Sequence, residues 1–300
     1  MRRKSIMNLK IYEQAGEQYC QQNLLNEWHN DTLERNWWEG LKFFFSRTFP
    51  RGRREELTNE YYSFTLEVLK ERYEIVERNC SNLFDLLDQA YKRLIQDKKY
   101  FDKEQIRNFK RAKKIGNGSS LKHPDFRAEV IEKNPIIKLL VEKREIEIRW
   151  EERKYRKEIY LGNEMDIMLV LDTLDFISSS PQKKNIYLYF KQMIENNRCQ
   201  EAYNELNKFY GVSDKLATFF CRDVLLLNPD MELKLEDYKI VFPIDTWVAK
   251  EAKKLGCDDK DIPAIKECLI KRCLEQNLYP PKVAAGLWKK GYRASKSCLS

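Results

Sequence analysis

The chain has 300 residues, 42% of them hydrophobic and 34% charged, with only 10 Gly and 9 Pro. That composition describes a helix-rich globular protein with ample core and excludes disordered and fibrous classes. Lys and Arg exceed Asp and Glu by 55 to 47, a net charge of +8, and no run approaches the ~18–20 apolar residues of a membrane span.

Residues 1–14 are basic but no apolar stretch follows them, so an export signal is not expected and a cytoplasmic, nucleoid-associated location is. The eight cysteines are scattered, which for such a location predicts reduced thiols. Cys257, Cys268, Cys273 and Cys298 lack the close Cys-x₂-Cys spacing of a zinc or iron–sulfur site, and His29 and His123 are the only imidazoles. No structural metal is therefore expected. Basic residues gather in three places. Residues 42–54 hold five and no acidic one, threaded with Phe43, Phe44, Phe45 and Phe49; residues 97–114 hold eight against three acidic; residues 280–300 hold five and no acidic one. Three such stretches favour a polyanionic partner.

Apolar spacing predicts helices over 8–28 and 32–45, with Trp37 and Trp38 open to a core role or a binding role. Pro50 and Gly52 end this run, and Thr58 is a candidate N-cap for a long helix beyond it. Residues 96–124 read as a lysine-rich insertion, either a solvated loop or a DNA contact. Residues 144–160 fit a strand, because Ile146, Ile148 and Trp150 alternate, and fit a charged helix nearly as well. Helices follow over 165–178, 183–196, 199–210, 215–227, 246–255 and 262–276, with a last one from Pro280 through Trp288. The expected class is all-α with at most a minor strand pair. The expected parts are an N-terminal helical region, 1–160, and a second region, 161–300, packed into one body.

The densest signal is 206–248. A helix, the turn Gly211-Val212-Ser213-Asp214 and a second helix carrying Lys215 form a hairpin pattern; Phe242-Pro243-Ile244-Asp245 then opens a third helix. Gly211 supplies the positive φ of such a turn, Val212 plugs it into the core, and its amides with the second helix's N-terminus suit a DNA phosphate. Gly211, Val212 and Lys215, then Pro243 and Asp245, resemble the helix-hairpin-helix DNA glycosylase superfamily, over about 163–291. The family commonly has Pro before the hairpin and Gly as its third residue; here Tyr210 and Ser213 stand there. Lysine and aspartate are 245 − 215 = 30 positions apart, a separation similar to that of the archaeal 8-oxoguanine branch.

The resemblance implies a two-lobed helical fold and a base-excision enzyme acting as a monomer on double-stranded DNA that contains a damaged base, 8-oxoguanine first. Lys215, if desolvated, would attack C1′ and form a Schiff base, and β-elimination would nick the strand. Asp245 would orient the attack and move the lysine proton. Gly211, Val212 and Ser213 would hold the DNA backbone, and Trp288, Trp37 and Trp38, with Trp28, are candidates for the base pocket. A monovalent cation on the carbonyls of Asn207, Phe209 and Val212 is also implied, and no further cofactor. Oxidised pyrimidines or alkylated bases are alternative substrates. A non-enzymatic DNA clamp is the rival from another class, with Lys215 as a phosphate contact and Asp245 as a simple cap; an RNA-binding N-terminal half is a third.

Overall fold

The computed structural model describes residues 9–49, 55–72, 140–150, 153–161, 164–257 and 261–297. The basic stretch 97–114, the insertion expected over 96–124 and residues 50–54 of the first basic stretch lie outside the described residues. The described residues are mostly helical, with one two-stranded sheet among them, as the composition leads one to expect. The helices are α1 (Lys10–Cys20), α2 (Asn30–Arg35), α3 (Trp37–Thr48), α4 (Glu55–Arg72), α5 (Glu164–Ser178), α6 (Ile186–Glu195), α7 (Cys199–Leu206), α8 (Asp214–Leu227), α9 (Thr246–Lys254), α10 (Ile262–Glu275) and α11 (Pro280–Ser297). The strands are β1 (Arg144–Trp150) and β2 (Arg153–Ile159). The chain divides into two compact units, neither of them contiguous: Met1–Arg35 with Phe190–Leu206 and Asp214–Ser300, and Asn36–Tyr189 with Asn207–Ser213.

In the first unit α1 lies directly against α11. A Cβ on Gly16 would sit 1.9 Å from the Lys282 carbonyl oxygen, and one on Gly286 would sit 1.7 Å from that of Tyr12. Only hydrogen fits at either place. Tyr12 also ties α1 to α9, its hydroxyl donating to Glu251 Oε2 at 2.8 Å; burial and then Glu251 push that hydroxyl's pKa upward. Phe242, Val248, Leu269, Val283 and Leu287 fill the core among α1, α9, α10 and α11. The helical pattern of 8–28 is shorter in fact: α1 ends at Cys20, and Gln21–Leu25 wind as a π-turn.

The cysteines need a correction. Cys257 and Cys268 form a disulfide, with Cα atoms 5.9 Å apart, so the expectation of reduced thiols throughout does not hold. Gly256, at φ +75, turns the chain after α9 and lays Cys257 on α10, and an eleven-residue spacing in sequence gives no sign of that approach. Cys20, Cys199, Cys221 and Cys273 are free and buried; burial pushes the thiols of Cys20, Cys199 and Cys273 up to about 12.

The helix expected over 32–45 is two helices, α2 in the first unit and α3 in the second. Asn36 leaves helical geometry and caps α3, its side chain accepting from Trp38 N at 2.9 Å and Glu39 N at 3.4 Å. Phe43, Phe44, Phe45 and Phe49 are fully buried, so the aromatics interleaved with the first basic stretch are core. Phe44 and Phe176 both pack on Phe209, ring centroids 5.0 and 4.9 Å apart. Helix α4 already runs from Glu55, so Thr58 is not its cap; it lies buried inside the helix. Residues 144–160 settle as an antiparallel pair with Arg144 opposite Ile159 and Trp150 opposite Arg153.

Candidate active site

The turn between α7 and α8 is built as its residues dictate. Gly211 has φ +77, and Val212, buried at 4% exposure, donates its N–H to the Phe209 carbonyl at 3.1 Å. Ser213 is exposed. Tyr210, just before the turn, is buried, and its N–H donates to Asp172 Oδ2 at 2.6 Å. Proline has no N–H and would leave that carboxylate oxygen without this donor. Asp172 therefore gives a physical reason for a residue with an N–H at position 210.

From α8 a stripe at four- and three-residue steps carries Lys215, Phe219 and Arg222 along one face. It passes from exposed through half-buried to buried. Lys215 Nζ lies 3.5 Å from Asp245 Oδ2, the lysine side chain 52% exposed and the aspartate 6%. The desolvation expected of Lys215 is thus not supplied by the free protein. Asp245 is the N-cap of α9: Oδ1 accepts from Trp247 N and Val248 N, each at 2.9 Å. Its two oxygens divide the work, Oδ1 on the helix amides and Oδ2 towards the lysine.

Aromatic rings complete a circuit around this pair. Lys215 Nζ stands 5.4 Å from the Phe219 centroid, and the Arg222 guanidinium stands 4.8 Å from the same ring and 5.2 Å from that of Tyr19. Tyr19 meets Trp288 edge-on at 5.9 Å. Trp288 stacks on Tyr292 at 5.2 Å with 7° between planes, and Tyr292 meets the edge of Trp247 at 6.4 Å. Trp247 is two residues from Asp245, so the circuit closes. Phe219, Trp247, Trp288 and Tyr292 are all half-buried, which leaves aromatic surface available for stacking. Gly291 allows α9 and α11 to meet here, since a Cβ there would lie 2.9 Å from that of Trp247 and 3.0 Å from its carbonyl oxygen.

Arg222 is the deepest member. It is 2% exposed, with Nε and Nη2 donating to Asp223 Oδ1 at 2.8 and 2.7 Å and Nη2 to Tyr19 Oη at 3.2 Å. Burial lowers its pKa, and Asp223 and Tyr19 more than offset that. Its Nη1 is buried without a hydrogen-bond partner. Buried donors of that kind are rare and suit an acceptor delivered by a ligand.

Of the residues anticipated, the structure therefore pairs Lys215 with Asp245 and links Trp288 to Trp247, beside Asp245, through Tyr292. Trp37 and Trp38 lie buried in the second unit, edge-on to each other at 5.8 Å, and Trp28 is buried in the first. Phe219, Arg222, Tyr19, Trp247 and Tyr292 were missed. Positions 219 and 222 were within reach by helical spacing from Lys215; Tyr19 and Tyr292 carry no local signal. Among the described residues no group of three His, Cys, Asp or Glu side chains could hold a metal ion. The Phe209 carbonyl, one of those anticipated for a monovalent cation, already accepts from Val212 N. No family model, no curated protein and no solved structure matches this chain.

Proposed function

We propose that the chain is a helix-hairpin-helix DNA glycosylase with an apurinic/apyrimidinic lyase step, acting on duplex DNA that carries an oxidised purine such as 8-oxoguanine. The observation that supports it most is the divided carboxylate of Asp245, with one oxygen on the α9 amides and the other 3.5 Å from Lys215 Nζ. A base held this way is fixed before substrate arrives, which is what proton transfer requires. The half-exposed lysine is reachable by a sugar carbon, and bound DNA would supply the desolvation that the free protein lacks.

In this reading Lys215 passes a proton to Asp245 Oδ2 and its nitrogen bonds to C1′. The N-glycosidic bond breaks, and the base leaves with the electron pair and takes up a proton. Once the nitrogen has lost its second proton, its lone pair expels O4′ from C1′, O4′ takes up a proton, and the opened sugar is held as a protonated imine. Removal of a proton from C2′ then expels the 3′-phosphate, and water releases the lysine. The half-buried rings of Phe219, Trp288 and Tyr292 would receive the extruded base, and Arg222 Nη1 would donate to a carbonyl on its edge. The carbonyls of Asn207, Phe209 and Val212 would hold a monovalent cation, with a lone pair of Phe209 still available beside the Val212 bond. That cation would supply positive charge for a phosphate.

Borohydride trapping on 8-oxoguanine duplex tests this directly. Wild type is expected to give a covalent adduct and Lys215→Ala none; binding without any adduct refutes the lyase step. The same trapping over oxidised-pyrimidine and alkylated-base duplexes separates the alternative substrates. One observation favours a second reading: with 52% exposure, Lys215 is also placed as a phosphate contact of a non-enzymatic clamp. That reading expects Lys215→Ala to weaken binding and reduce its salt dependence, with no product on any lesion.

A further inference from the structure

The Cys257–Cys268 bond holds the far end of the helix that Asp245 caps. Asp245 stands at the N-terminus of α9 with Oδ2 towards Lys215, and Cys257 follows its C-terminus after Leu255 and Gly256. The nine residues of α9 make a rod of about 13 Å at 1.5 Å each. It contains no Pro or Gly at which to bend, so it moves as one piece. A change in how its C-terminus is held is therefore felt at its cap.

The bond is not what builds that end. Gly256, at φ +75, donates its N–H to the Lys253 carbonyl at 3.0 Å, and the Cys257 N–H returns to the Ala252 carbonyl at 2.9 Å. Those two bonds are the Schellman pair that closes a helix. Arg272, one turn beyond Cys268 on α10, donates Nη1 to the Leu255 carbonyl. Leu255, Cys257, Ile265 and Leu269 are buried in one core. The turn keeps its hydrogen bonds and its packing when the sulfurs part.

Thiol chemistry also singles out this pair. Cys20, Cys199, Cys221 and Cys273 are free and buried, and burial pushes all four thiols upward. Almost none is thiolate at neutral pH, and the thiolate is the reactive form. Cys257 is 3% exposed and Cys268 half-buried, so an incoming thiolate meets Cys268 first.

We infer that Cys257–Cys268 is a reversible redox clamp on α9, which fixes Asp245 against Lys215 when closed and slackens that placement when a thiol reductant opens it. Its effect on catalysis rests on the Lys215–Asp245 reading above; its effect on α9 does not. Opening takes two electrons from two thiols, such as two molecules of glutathione. The first thiolate bonds to Cys268 Sγ and expels Cys257 as a thiolate, which takes up a proton. The second attacks the first reductant's sulfur, releases Cys268 as a thiolate that is protonated in turn, and leaves as glutathione disulfide. Glutathione disulfide reverses both steps. Oxidising conditions that produce an oxidised purine also close the clamp, so excision is fastest when its substrate forms.

The full chain equilibrated over a series of reduced-to-oxidised glutathione ratios provides the test. Alkylation and intact mass read the open fraction, hydrogen exchange reads the α9 amides, and borohydride trapping on 8-oxoguanine duplex reads the chemistry. Opening is expected to speed exchange across residues 246–254 about tenfold and to slow trapping about threefold to tenfold, both restored by reoxidation. Duplex affinity should stay within about twofold, and Cys268→Ser should behave at every ratio as the opened wild type does. A bond that stays closed in the most reducing mixture overturns the clamp, as does reduction that unfolds the chain by circular dichroism. Alkylation of Cys20, Cys199, Cys221 or Cys273 ahead of Cys268 overturns it too. Wild type that forms no adduct at any ratio removes the lyase, while the exchange of α9 still decides the clamp. Unchanged exchange and trapping on opening remove the clamp and leave the lyase.

Discussion

Asp245 does two jobs with two oxygens, and substitution can separate them. Asparagine caps helices about as well as aspartate, so Asp245→Asn keeps an oxygen on the Trp247 and Val248 amides, each 2.9 Å away, and loses the charge facing Lys215. Alanine loses both. The cap contributes about 1 kcal/mol; the ion pair contributes at most a few tenths, because it spans 3.5 Å and the lysine is half exposed. Asp245→Ala should then lower the melting temperature by roughly 2–4 °C and Asp245→Asn by less than ~1 °C. Base release should fall by about 10²–10⁴-fold in both, the range for loss of an acid–base group. Thermal denaturation beside single-turnover excision of 8-oxoguanine reads the two quantities independently. An Asp245→Asn protein that keeps full turnover refutes the division of roles, and so does one that melts as low as the alanine variant.

Three other substitutions probe the surroundings. Gly291→Ala gains about 1 kcal/mol of helix propensity but drives a methyl to 2.9 Å from Trp247 Cβ. A shift of α9 by a few tenths of an ångström should slow excision by roughly threefold to tenfold at nearly unchanged melting temperature. Cys268→Ser opens the loop closed by the bond to Cys257, eleven residues away, and should cost about 3 kcal/mol. Dithiothreitol should lower the wild-type melting temperature to that of the variant and leave the variant's where it is. Arg222→Met leaves Asp223 a buried carboxylate with its guanidinium removed and should cost about 3–5 kcal/mol in denaturant unfolding, most of it restored by adding Asp223→Leu.

The helices and the proximity of Lys215 to Asp245 were legible because each rests on local chemistry. Gly211 fixes a turn by its positive φ, and Asp245 caps a helix through amides two and three residues away. The break at Asn36 was missed because a mid-pattern asparagine is also tolerated inside helices, whereas here its side chain accepts from the Trp38 and Glu39 amides and caps α3. The disulfide and the ring circuit were hidden for a different reason. Cys257 and Cys268, or Tyr19, Trp247 and Trp288, meet only once α1, α9, α10 and α11 have packed. Side chains that converge from several helices leave no periodic trace in any one of them.

The asymmetry of the central pair bears on how such a site would choose its substrate. The Asp245 side chain is 6% exposed and locked by its helix, whereas that of Lys215 is 52% exposed and, among the described residues, held by a long contact to Oδ2 and the Phe219 ring. In the proposed reading the acceptor is preorganised and the nucleophile is not, so ordering Lys215 would have to come from the bound strand. A base that fills the ring circuit and reaches Arg222 Nη1 buries the lysine as it enters; one that fails to do so leaves it in water beside its carboxylate. Discrimination would then appear in the rate of adduct formation more than in affinity, because undamaged duplex is held through its phosphates in either case. Undamaged and lesion-bearing duplexes with similar dissociation constants and widely separated trapping rates are the expected pattern.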